Sequence, residues 1–468
     1  MAVNLLNQST MTSSFKKYIA LAAFAVAAIS AQAQNTVTGY FLDDYTYRFQ
    51  MNPALGNSRN FVGMPALANL NVGMQGNLHL KDVLYNIDGR TTTFMNPGVD
   101  TKTFLKHIDN VNKIGVNAKI NILSAGFKAW GGYNTISINA RVGANVHLPK
   151  SIFSLLKEGV SNQTYDITDV RAHALGYAEV ALGHSHQINS EWRVGGTFKF
   201  LVGGGQAEAR LDEAYLRLGE DSWDIISDGN INVNVKGFTY DQDLNEHTGK
   251  QYVSGGKVEN TGINGFGAAF DLGSTYKPNF CPGLELSAAF LDLGFINWDN
   301  NMLASTNGRQ EVMTDRYTFN ADSDAPNSFS NEWKKLRDDF SAIYQLNPMG
   351  DTGSKVRALH TTMNIGAHYV VQTDKRLSFG LLNTTCIAGP YTWTSFRLSG
   401  NFAPWKALNI AASVAEGTYG FDFGWMINLH VTGFNFFVGM DHTLGKLAKQ
   451  GVPISSNGGV NLGMNFLF

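Results

Sequence analysis

The feature of the sequence that most restricts its fold is a strict two-residue alternation of apolar and polar side chains. Residues 136–148 place an apolar side chain at every even position and a polar residue or glycine at every odd one. Because successive side chains of a strand point to opposite faces, this segment has one wholly apolar face. An ordinary strand has about 5–6 residues, and a tilted strand needs about 9–11 to cross a membrane. The pattern therefore predicts a strand long enough to cross a lipid bilayer.

The same alternation recurs along the chain and predicts about fourteen strands. The apolar faces of the clearest strands carry no charge, as expected where a charge facing lipid costs about 2–4 kcal/mol. A soluble β-sandwich alternates as well, but these strands are long and their polar faces are rich in Gly, Asn and Ser. We therefore expect an all-β fold, a transmembrane antiparallel up-and-down β-barrel over residues 67–468. The expected strands are 67–78, 116–129, 135–148, 174–187, 192–204, 263–276, 284–295, 361–371, 377–389, 393–402, 407–415, 420–431, 434–440 and 459–468.

The connections between these strands alternate between short and long, with two exceptions at 390–392 and 416–419. Outer-membrane barrels have short periplasmic turns and longer outer loops, so an even strand number predicts both termini in the periplasm. Residues 330–343 have the apolar spacing of an amphipathic helix within the longest connection. The short turns are 130–134, 188–191, 277–283, 372–376, 403–406 and 432–433, and the long connections are 79–115, 149–173, 205–262, 296–360 and 441–458.

The composition agrees with a chain that keeps much of its surface out of water. Charged residues make up 16% of the sequence, against about 25% in a typical soluble domain. Glycine is abundant, with 49 residues, and aromatic residues reach 12%. The formal net charge of −2 gives no electrostatic footprint for nucleic acid. We therefore expect outer-membrane lipid, and no nucleic acid, as a partner.

The N-terminal residues predict a secretory signal peptide over residues 1–33, with a buried N-terminal helix as the alternative interpretation. Translation could start at Met1 or at Met11. In the oxidising compartment that such a peptide leads to, Cys281 and Cys386 could pair, although their places in a turn and mid-strand favour two free thiols. The signal consists of Lys16 and Lys17, an Ala-rich apolar stretch at 19–29 and the cleavage site Ala31-Gln32-Ala33.

The last residues of the chain resemble a known recognition signal. Gly463, Phe466 and Phe468 form the ending Gly-x-x-aromatic-x-aromatic, which is similar to the signal by which the barrel-assembly machinery recognises its clients. The resemblance implies that machinery as a partner. Alternation places both phenylalanines on the lipid-facing side, and a plain closing strand is the alternative interpretation.

A second resemblance lies shortly after the signal peptide. Asn52, Pro53 and Ala54 are similar to an element near the N-terminus of long-chain fatty-acid transporters, where it belongs to a hatch inside the lumen. The resemblance implies that residues 34–66 form a hatch-like segment that is periplasmic or lumenal. Since Asn-Pro is also a common turn former, an ordinary turn is the alternative.

A third resemblance covers residues 267–294. Phe270-Asp271-Leu272-Gly273 and Leu291-Asp292-Leu293-Gly294 resemble the corresponding stretches of a family of uncharacterised outer-membrane β-barrels of Bacteroidota. That family is distantly similar to the long-chain fatty-acid transporter superfamily. Membership would imply the outer membrane and the barrel fold, but no particular substrate.

One short group of residues is a candidate for chemistry. His184 and His186 share a strand face while Ser185 points the other way, so this serine cannot meet either histidine as nucleophile and base. No third metal ligand is evident beside the two histidines. Gly203-Gly204-Gly205 lacks the Lys-Ser/Thr pair of a phosphate-binding loop and is interpreted as a strand end or bulge. We expect no enzyme activity, no catalytic residue, no metal and no cofactor.

Two functions fit these patterns. The barrel could pass or bind a small hydrophobic or amphipathic solute, which would enter between the long loops and leave sideways or through the lumen. An apolar wall beside the hatch-like segment would support this hypothesis. Alternatively, the barrel could be a non-transporting scaffold or shuttle component of an outer-membrane secretion or surface complex, with 205–262 and 296–360 as docking surfaces.

Overall fold

The computed structural model describes residues 37–468 except 88, 97, 159–162, 219–221, 245–248, 250, 316–345 and 444–457. The predicted signal peptide and the predicted helix at 330–343 lie outside these residues. In the described part of the chain, no helix combines the length and apolarity needed to span a membrane. The helices are α1 (Leu80–Val83), α2 (Thr101–Lys106) and α3 (Lys150–Glu158), with 3-10 turns at Val37–Phe41, Thr46–Gln50 and Gly389–Tyr391.

Strands account for most of the described chain. In chain order they are β1 (Phe61–Gly63), β2 (Leu70–Gly76), β3 (Leu84–Ile87), β4 (Arg90–Thr93), β5 (Val111–Ala129), β6 (Gly132–Pro149), β7 (Thr164–Asp166), β8 (Val170–Gln187), β9 (Trp192–Leu218), β10 (Ser222–Val235), β11 (Phe238–Leu244), β12 (Gln251–Val258), β13 (Gly265–Tyr276), β14 (Leu284–Trp298), β15 (Asn301–Ser305), β16 (Gln310–Asp315), β17 (Asn347–Asp351), β18 (Lys355–Ala358), β19 (Thr361–Val370), β20 (Leu377–Ile387), β21 (Trp393–Trp405), β22 (Leu408–Gly417), β23 (Gly420–Val431), β24 (Phe434–Thr443) and β25 (Gly458–Leu467).

The wall of the molecule is a closed antiparallel barrel of 14 strands. β1 and β2 share the first position, and the other wall strands are β5, β6, β8, β9, β13, β14 and β19 to β25. Closure occurs at β2, where Asn71 lies opposite Asn461 of β25 on one side and Lys119 of β5 on the other. The predicted fold is confirmed, and every predicted strand overlaps a wall strand.

Alternation sorts the side chains of the wall as the sequence predicts. In β6, Ile136 and Val142 are 44% and 52% exposed, whereas Asn139 between them is 1% exposed. The apolar side chains therefore form an outer band that suits lipid, and the polar ones line the lumen. β5 and β6 are joined by Trp130-Gly131, both with positive φ, which is the turn geometry that matches the twist of a hairpin.

The wall strands extend well beyond the predicted bounds at the long-loop end. β9 was expected to end at residue 204 but continues to Leu218, and it pairs there with β10. β10 in turn pairs with β15 and β16, so the connections 205–262 and 296–360 contain sheet rather than simple loops. These extensions lie beyond the apolar outer band, where the wall does not contact lipid. Their outward side chains therefore need not be apolar at every second position.

Part of the predicted hatch-like segment belongs to the wall. β1 falls within residues 34–66, and its Phe61 lies opposite Leu467 of β25 and Gly126 of β5. The chain thus joins the sheet before residue 67, next to its own C-terminal strand. The residues that precede β1 fill the lumen and form the largest buried apolar cluster of the described chain.

Candidate functional site

Residues 37–60, called here the plug, fill the lumen at the short-turn end of the barrel. The plug is aromatic, and its rings are almost fully buried together with three rings of the wall. Tyr45 packs edge-on against Phe437, with 4.9 Å between the ring centroids, a preferred geometry for aromatic pairs. The buried rings are Tyr40, Tyr45, Tyr47, Phe41 and Phe49 of the plug and Phe61, Tyr133 and Phe437 of the wall.

Hydrogen bonds fasten these rings to the polar inner face of the wall. Tyr45 donates to Asn461 Oδ1 at 3.1 Å, and the hydroxyls of Tyr47 and Ser124 are 2.8 Å apart. Burial raises the pKa of both tyrosines, so their hydroxyls remain protonated donors. Because a buried polar group without a partner costs about 1–3 kcal/mol, these bonds fix the position of the plug.

The start of the plug is held by a buried charge pair. The backbone N–H of Val37 donates to Asp441 Oδ2 at 2.8 Å, and the hydroxyl of Thr38 bonds the same carboxylate. Arg397, on β21, forms an ion pair with Asp441 at 3.2 Å, and the Arg397 side chain is only 8% exposed. Asp441 therefore joins the first described residues of the plug to β24 and β21.

The predicted hatch motif lies inside the barrel at the centre of the plug. Asn52 is fully buried, donates to Tyr40 Oη at 3.1 Å and accepts from the Ala54 backbone N–H at 2.9 Å. The wall glycine Gly195 faces Pro53 so closely that a side chain there would overlap the plug backbone. The motif therefore makes a tight turn seated against glycine. The structure gives its position, and its role as a hatch remains a prediction.

Above the plug, toward the long-loop end, the lumen holds a cavity of about 200 Å³. Gln50 and Met51 of the plug contribute to its lining. The remaining lining combines charged residues, ring-bearing residues and small polar and apolar ones, so the cavity is not the apolar wall that would support a purely hydrophobic solute. A ligand with both polar and apolar parts would suit it better than a simple hydrocarbon.

The charged side is a continuous series of ion pairs on the inner faces of six neighbouring strands, called here the ion-pair chain. Each member sits at an inward position of an alternating strand. The most deeply buried members are Glu179, Asp271 and Lys199, which are 1%, 3% and 5% exposed. The pairs are Lys119–Glu179 at 3.2 Å, Glu179–Arg141 at 3.2 Å, Arg141–Asp292 at 2.9 Å, Asp292–Lys199 at 2.6 Å and Lys199–Asp271 at 2.7 Å.

Asp292 reaches the lumen through an irregularity in the sheet. Its φ is +61°, a left-handed value that Asp tolerates better than most residues. The register of β13 against β14 shifts between Phe270 and Leu272, and the Asp292 backbone N–H donates to Asp271 Oδ1 at 2.7 Å. The sequence signal was present, because the apolar face of 284–295 changes side near Asp292.

Aromatic side chains from the long-loop end line the other side of the cavity. Tyr177 lies over Arg141, with 5.5 Å from the guanidinium carbon to the ring centroid. His360 packs near Tyr391 at 6.5 Å between ring centroids. Burial lowers the pKa of His360 to about 4, and the nearby charge of Arg141 adds to this effect, so the ring is neutral near pH 7. The ring-bearing residues that line the cavity are Tyr177, His360, Tyr391, Trp393 and Tyr419.

A second hollow, the outer groove, lies on the lipid-facing side of the same part of the wall. It measures about 410 Å³ and is lined almost wholly by small and apolar residues. The bulge between Gly176 and Tyr177, opposite the run of glycines 203–205, leaves this wall thin. Arg141, Val142 and Tyr177 contribute to both hollows. The predicted interpretation of the glycine run as a bulge is confirmed, although β9 continues past it.

The other predicted residues lie away from the cavity. His184 and His186 are exposed near the short-turn end, where His184 Nδ1 contacts Asn134 Oδ1 at 2.9 Å. Ser185 is buried on the opposite face and accepts from Arg193 at 3.2 Å. No group of three or more potential metal-binding side chains occurs among the residues that the structure describes. Absence of enzyme activity stays a prediction.

The cysteines and the C-terminal residues also lie apart from one another. Cys281 and Cys386 are both free, and Cys386 contributes to the cavity wall. Phe466 and Phe468 are 49% and 71% exposed at the end of the closing strand. Gly463 faces Ala68 and Phe437 without room for a side chain. Recognition of this ending by the assembly machinery stays a prediction.

The comparisons with solved structures return outer-membrane barrels. The toluene transporter TbuX of Ralstonia pickettii is 9% identical with a TM-score of 0.40, covering 91% of this chain and 94% of its own. The toluene transporter TodX of Pseudomonas putida is 9% identical with a TM-score of 0.39, covering 93% and 95%. A FadL homologue of Pseudomonas aeruginosa is 9% identical with a TM-score of 0.35, covering 93% and 97%. Such likenesses concern the fold and say nothing about a substrate.

The family of the chain follows from a separate comparison. No curated protein matches the sequence. A family model matches residues 53–441, which include Pro53 and Ala54 of the hatch motif, the ion-pair chain and most of the barrel. The predicted restriction of the family to Bacteroidota stays a prediction. The chain belongs to DUF5723, a family of unknown function.

Proposed function

We propose that this outer-membrane barrel passes small hydrophobic or amphipathic solutes through its wall. A solute enters between the long connections, rests in the cavity above the plug and leaves sideways through the outer groove into the lipid. The plug below is a packed core, so a straight path along the lumen is closed. Sideways release delivers a solute with an apolar part into an environment that suits it.

The observation that carries this proposal is the position of the two hollows on opposite faces of one thin piece of wall. Arg141, Val142 and Tyr177 contribute to both, and Gly176 and Gly204 have no side chains to fill the outer face. Val142 is 52% exposed at the rim of the groove. The register of β8 against β9 shifts at this point, and this is where the wall would open to connect the cavity with the lipid.

The proposal is tested by filling the groove from outside. A side chain at Gly176 would meet only Val142 at 3.5 Å and a backbone oxygen at 4.0 Å, so Gly176→Leu fits without distorting the wall. We expect expression of the chain in a Gram-negative host to accelerate uptake of the apolar fluorophore 1-N-phenylnaphthylamine several-fold. Gly176→Leu should return uptake toward the level of cells without the chain.

The matched control is Gly400→Leu. Gly400 is another wall glycine with open space, since a side chain there would meet only Phe379 at 3.9 Å or more, and it lies far from the groove. This variant should keep the full uptake rate. Uptake no faster than in cells without the chain would contradict the proposal. A stoichiometric protein partner captured by crosslinking in those same cells would favour the scaffold alternative.

A further inference from the structure

We infer that the cavity selects compact aromatic acids: a single planar ring system that carries a carboxylate. This inference rests on the proposed function and names the class of solute that the cavity binds. It comes from the division of the lining into a cationic side and a ring-bearing side. Neither half alone would distinguish an acid from a neutral aromatic compound or from an alkyl chain.

The cationic side follows from which members of the ion-pair chain reach the cavity. Its three cations, Lys119, Arg141 and Lys199, all contribute to the lining, but of its three carboxylates only Asp292 does. The other two carboxylates stand behind the cations. The chain as a whole is neutral, while the surface that a ligand meets has an excess of positive charge. An anion at this surface meets three cationic groups and one carboxylate.

Lys119 is the cation whose hydrogen-bond donors are least used by the ion-pair chain. Among the described residues, its one ion-pair partner is Glu179, at 3.2 Å, while Glu179 is also held by Arg141. An ammonium group has three donors, and the Lys119 side chain is 13% exposed. Arg141, by contrast, is committed to Asp292 by bonds from both terminal nitrogens. Lys119 is thus the group that a ligand carboxylate engages first.

The ring-bearing side and the volume set the shape of the ligand. Four of the five ring-bearing residues lie in or next to β19, β21 and β23, on a part of the wall away from the cation-bearing strands β5, β6 and β9, whereas Tyr177 lies over Arg141. The space that these residues line is about 200 Å³. An apolar cavity of about 150 Å³ holds one benzene molecule, so a space of about 200 Å³ has room for one ring with a carboxylate. Aromatic rings stack or pack edge-on with a gain of about 0.5–1.5 kcal/mol beyond their burial, which favours a ring over an alkyl group of equal size.

The experiment measures binding by titration calorimetry to the purified full barrel in lipid nanodiscs. The probes are benzoate, its neutral near-isostere benzamide, and hexanoate, which keeps the acid but lacks the ring. We expect benzoate to bind at least tenfold more tightly than either of the others, because a charge-assisted hydrogen bond and a ring contact are each lost in turn. Equal binding of benzoate and benzamide would overturn the inference.

Two variants separate the cavity from the rest of the barrel. Lys119→Gln shortens the side chain by one bond and keeps a donor but removes the charge, and it leaves Glu179 paired with Arg141. Benzoate affinity should fall roughly tenfold, with benzamide unchanged. The control is Lys128→Gln, on the same strand but exposed at its short-turn end, which should leave both affinities unchanged. Unchanged benzoate affinity in Lys119→Gln would overturn the inference even if the barrel is fully folded.

The same preparations keep this inference apart from the proposed function. Uptake of the neutral fluorophore depends on the outer groove and not on Lys119. If uptake is intact while benzoate shows no preference, the selectivity for acids is wrong and the passage stands. If benzoate binds selectively while uptake is absent, the site is supported and the passage is wrong.

Discussion

The two ends of the lumen are lined by different kinds of side chain. At the short-turn end, the plug packs buried aromatic rings against asparagine and serine side chains of the wall, and its hydrogen bonds are made within the protein. At the long-loop end, the wall presents paired charges and rings to a cavity. One half is packed as a protein interior is, and the other half keeps space for a guest.

The difference shows how one barrel can be both closed and receptive. Space next to a rigid floor is a defined site, whereas the same space without the plug would be part of a channel. Glycines of the wall serve both halves: Gly195 and Gly273 make room for the plug, and Gly176 thins the wall beside the cavity. The position of the plug therefore decides where the binding chamber begins.

The largest effect should come from removing the plug. A mature chain that lacks residues 37–59 keeps β1 and loses the aromatic cluster that fills the short-turn end. We expect this variant to admit sucrose into proteoliposomes, measured by swelling, while the intact chain shows no swelling above empty vesicles. Equal and negligible rates for both would show that the long connections close the lumen by themselves.

Much of this closed half could be foreseen from the sequence, because contact with lipid imposes a period of two on the wall. The alternation in 136–148 and its repeats give the strands, and the change of face near Asp292 marks the irregularity that brings this carboxylate inward. The alternation in β9 does not predict that the strand ends at Leu218, because this end of the strand lies beyond the part of the wall that contacts lipid.

Only part of the cavity at the long-loop end could be predicted from the sequence. Lys119, Glu179 and Lys199 each occupy a polar position of an alternating strand, so their inward direction is predictable. Which of them meet depends on the register of six strands and on two bulges, and a single sequence does not specify these. The plug motif was located from a resemblance, but its seat on Gly195 required the fold.

The second effect concerns the attachment of the plug to the wall. Asp441→Asn removes the charge that holds Val37 and leaves Arg397, which is 8% exposed, without its ion-pair partner. Breaking one side of a buried ion pair costs about 3–5 kcal/mol, so the midpoint of urea unfolding in lipid vesicles should fall and hydrogen exchange at Val37 should rise. Asp374→Asn, in an exposed turn pair with Arg376, should change neither measurement, and matching losses in both variants would contradict this assignment.

A smaller effect is expected where the plug rests on glycine. Gly195→Ala places a methyl group against the backbone of Pro53 and Ala54, and overpacking of this kind costs about 1–3 kcal/mol. The Ala54 amide should exchange faster while the amides of the outer band do not. Gly400→Ala adds the same methyl group with its nearest neighbour, Phe379, at 3.9 Å and should be neutral. Faster exchange in both variants would mean that the wall, and not the plug, responds.

The smallest effect should appear in the upper half, as a dependence of stability on pH. Burial lowers the pKa of His360 to about 4, while an unfolded histidine has a pKa of about 6.5. The folded chain therefore binds this proton less readily than the unfolded chain, so His360 contributes stability that is complete above pH 6.5 and is lost as the pH falls toward 4.

His360→Gln should remove this contribution. Because the ring is only partly buried, the difference in unfolding free energy between pH 7 and pH 4 should shrink by on the order of 1 kcal/mol. His107→Gln, at an exposed ring outside the cavity, should leave the difference as it is. An unchanged pH dependence in His360→Gln would mean that water reaches this ring freely, and the upper half would then be an open vestibule rather than a chamber bounded by rings.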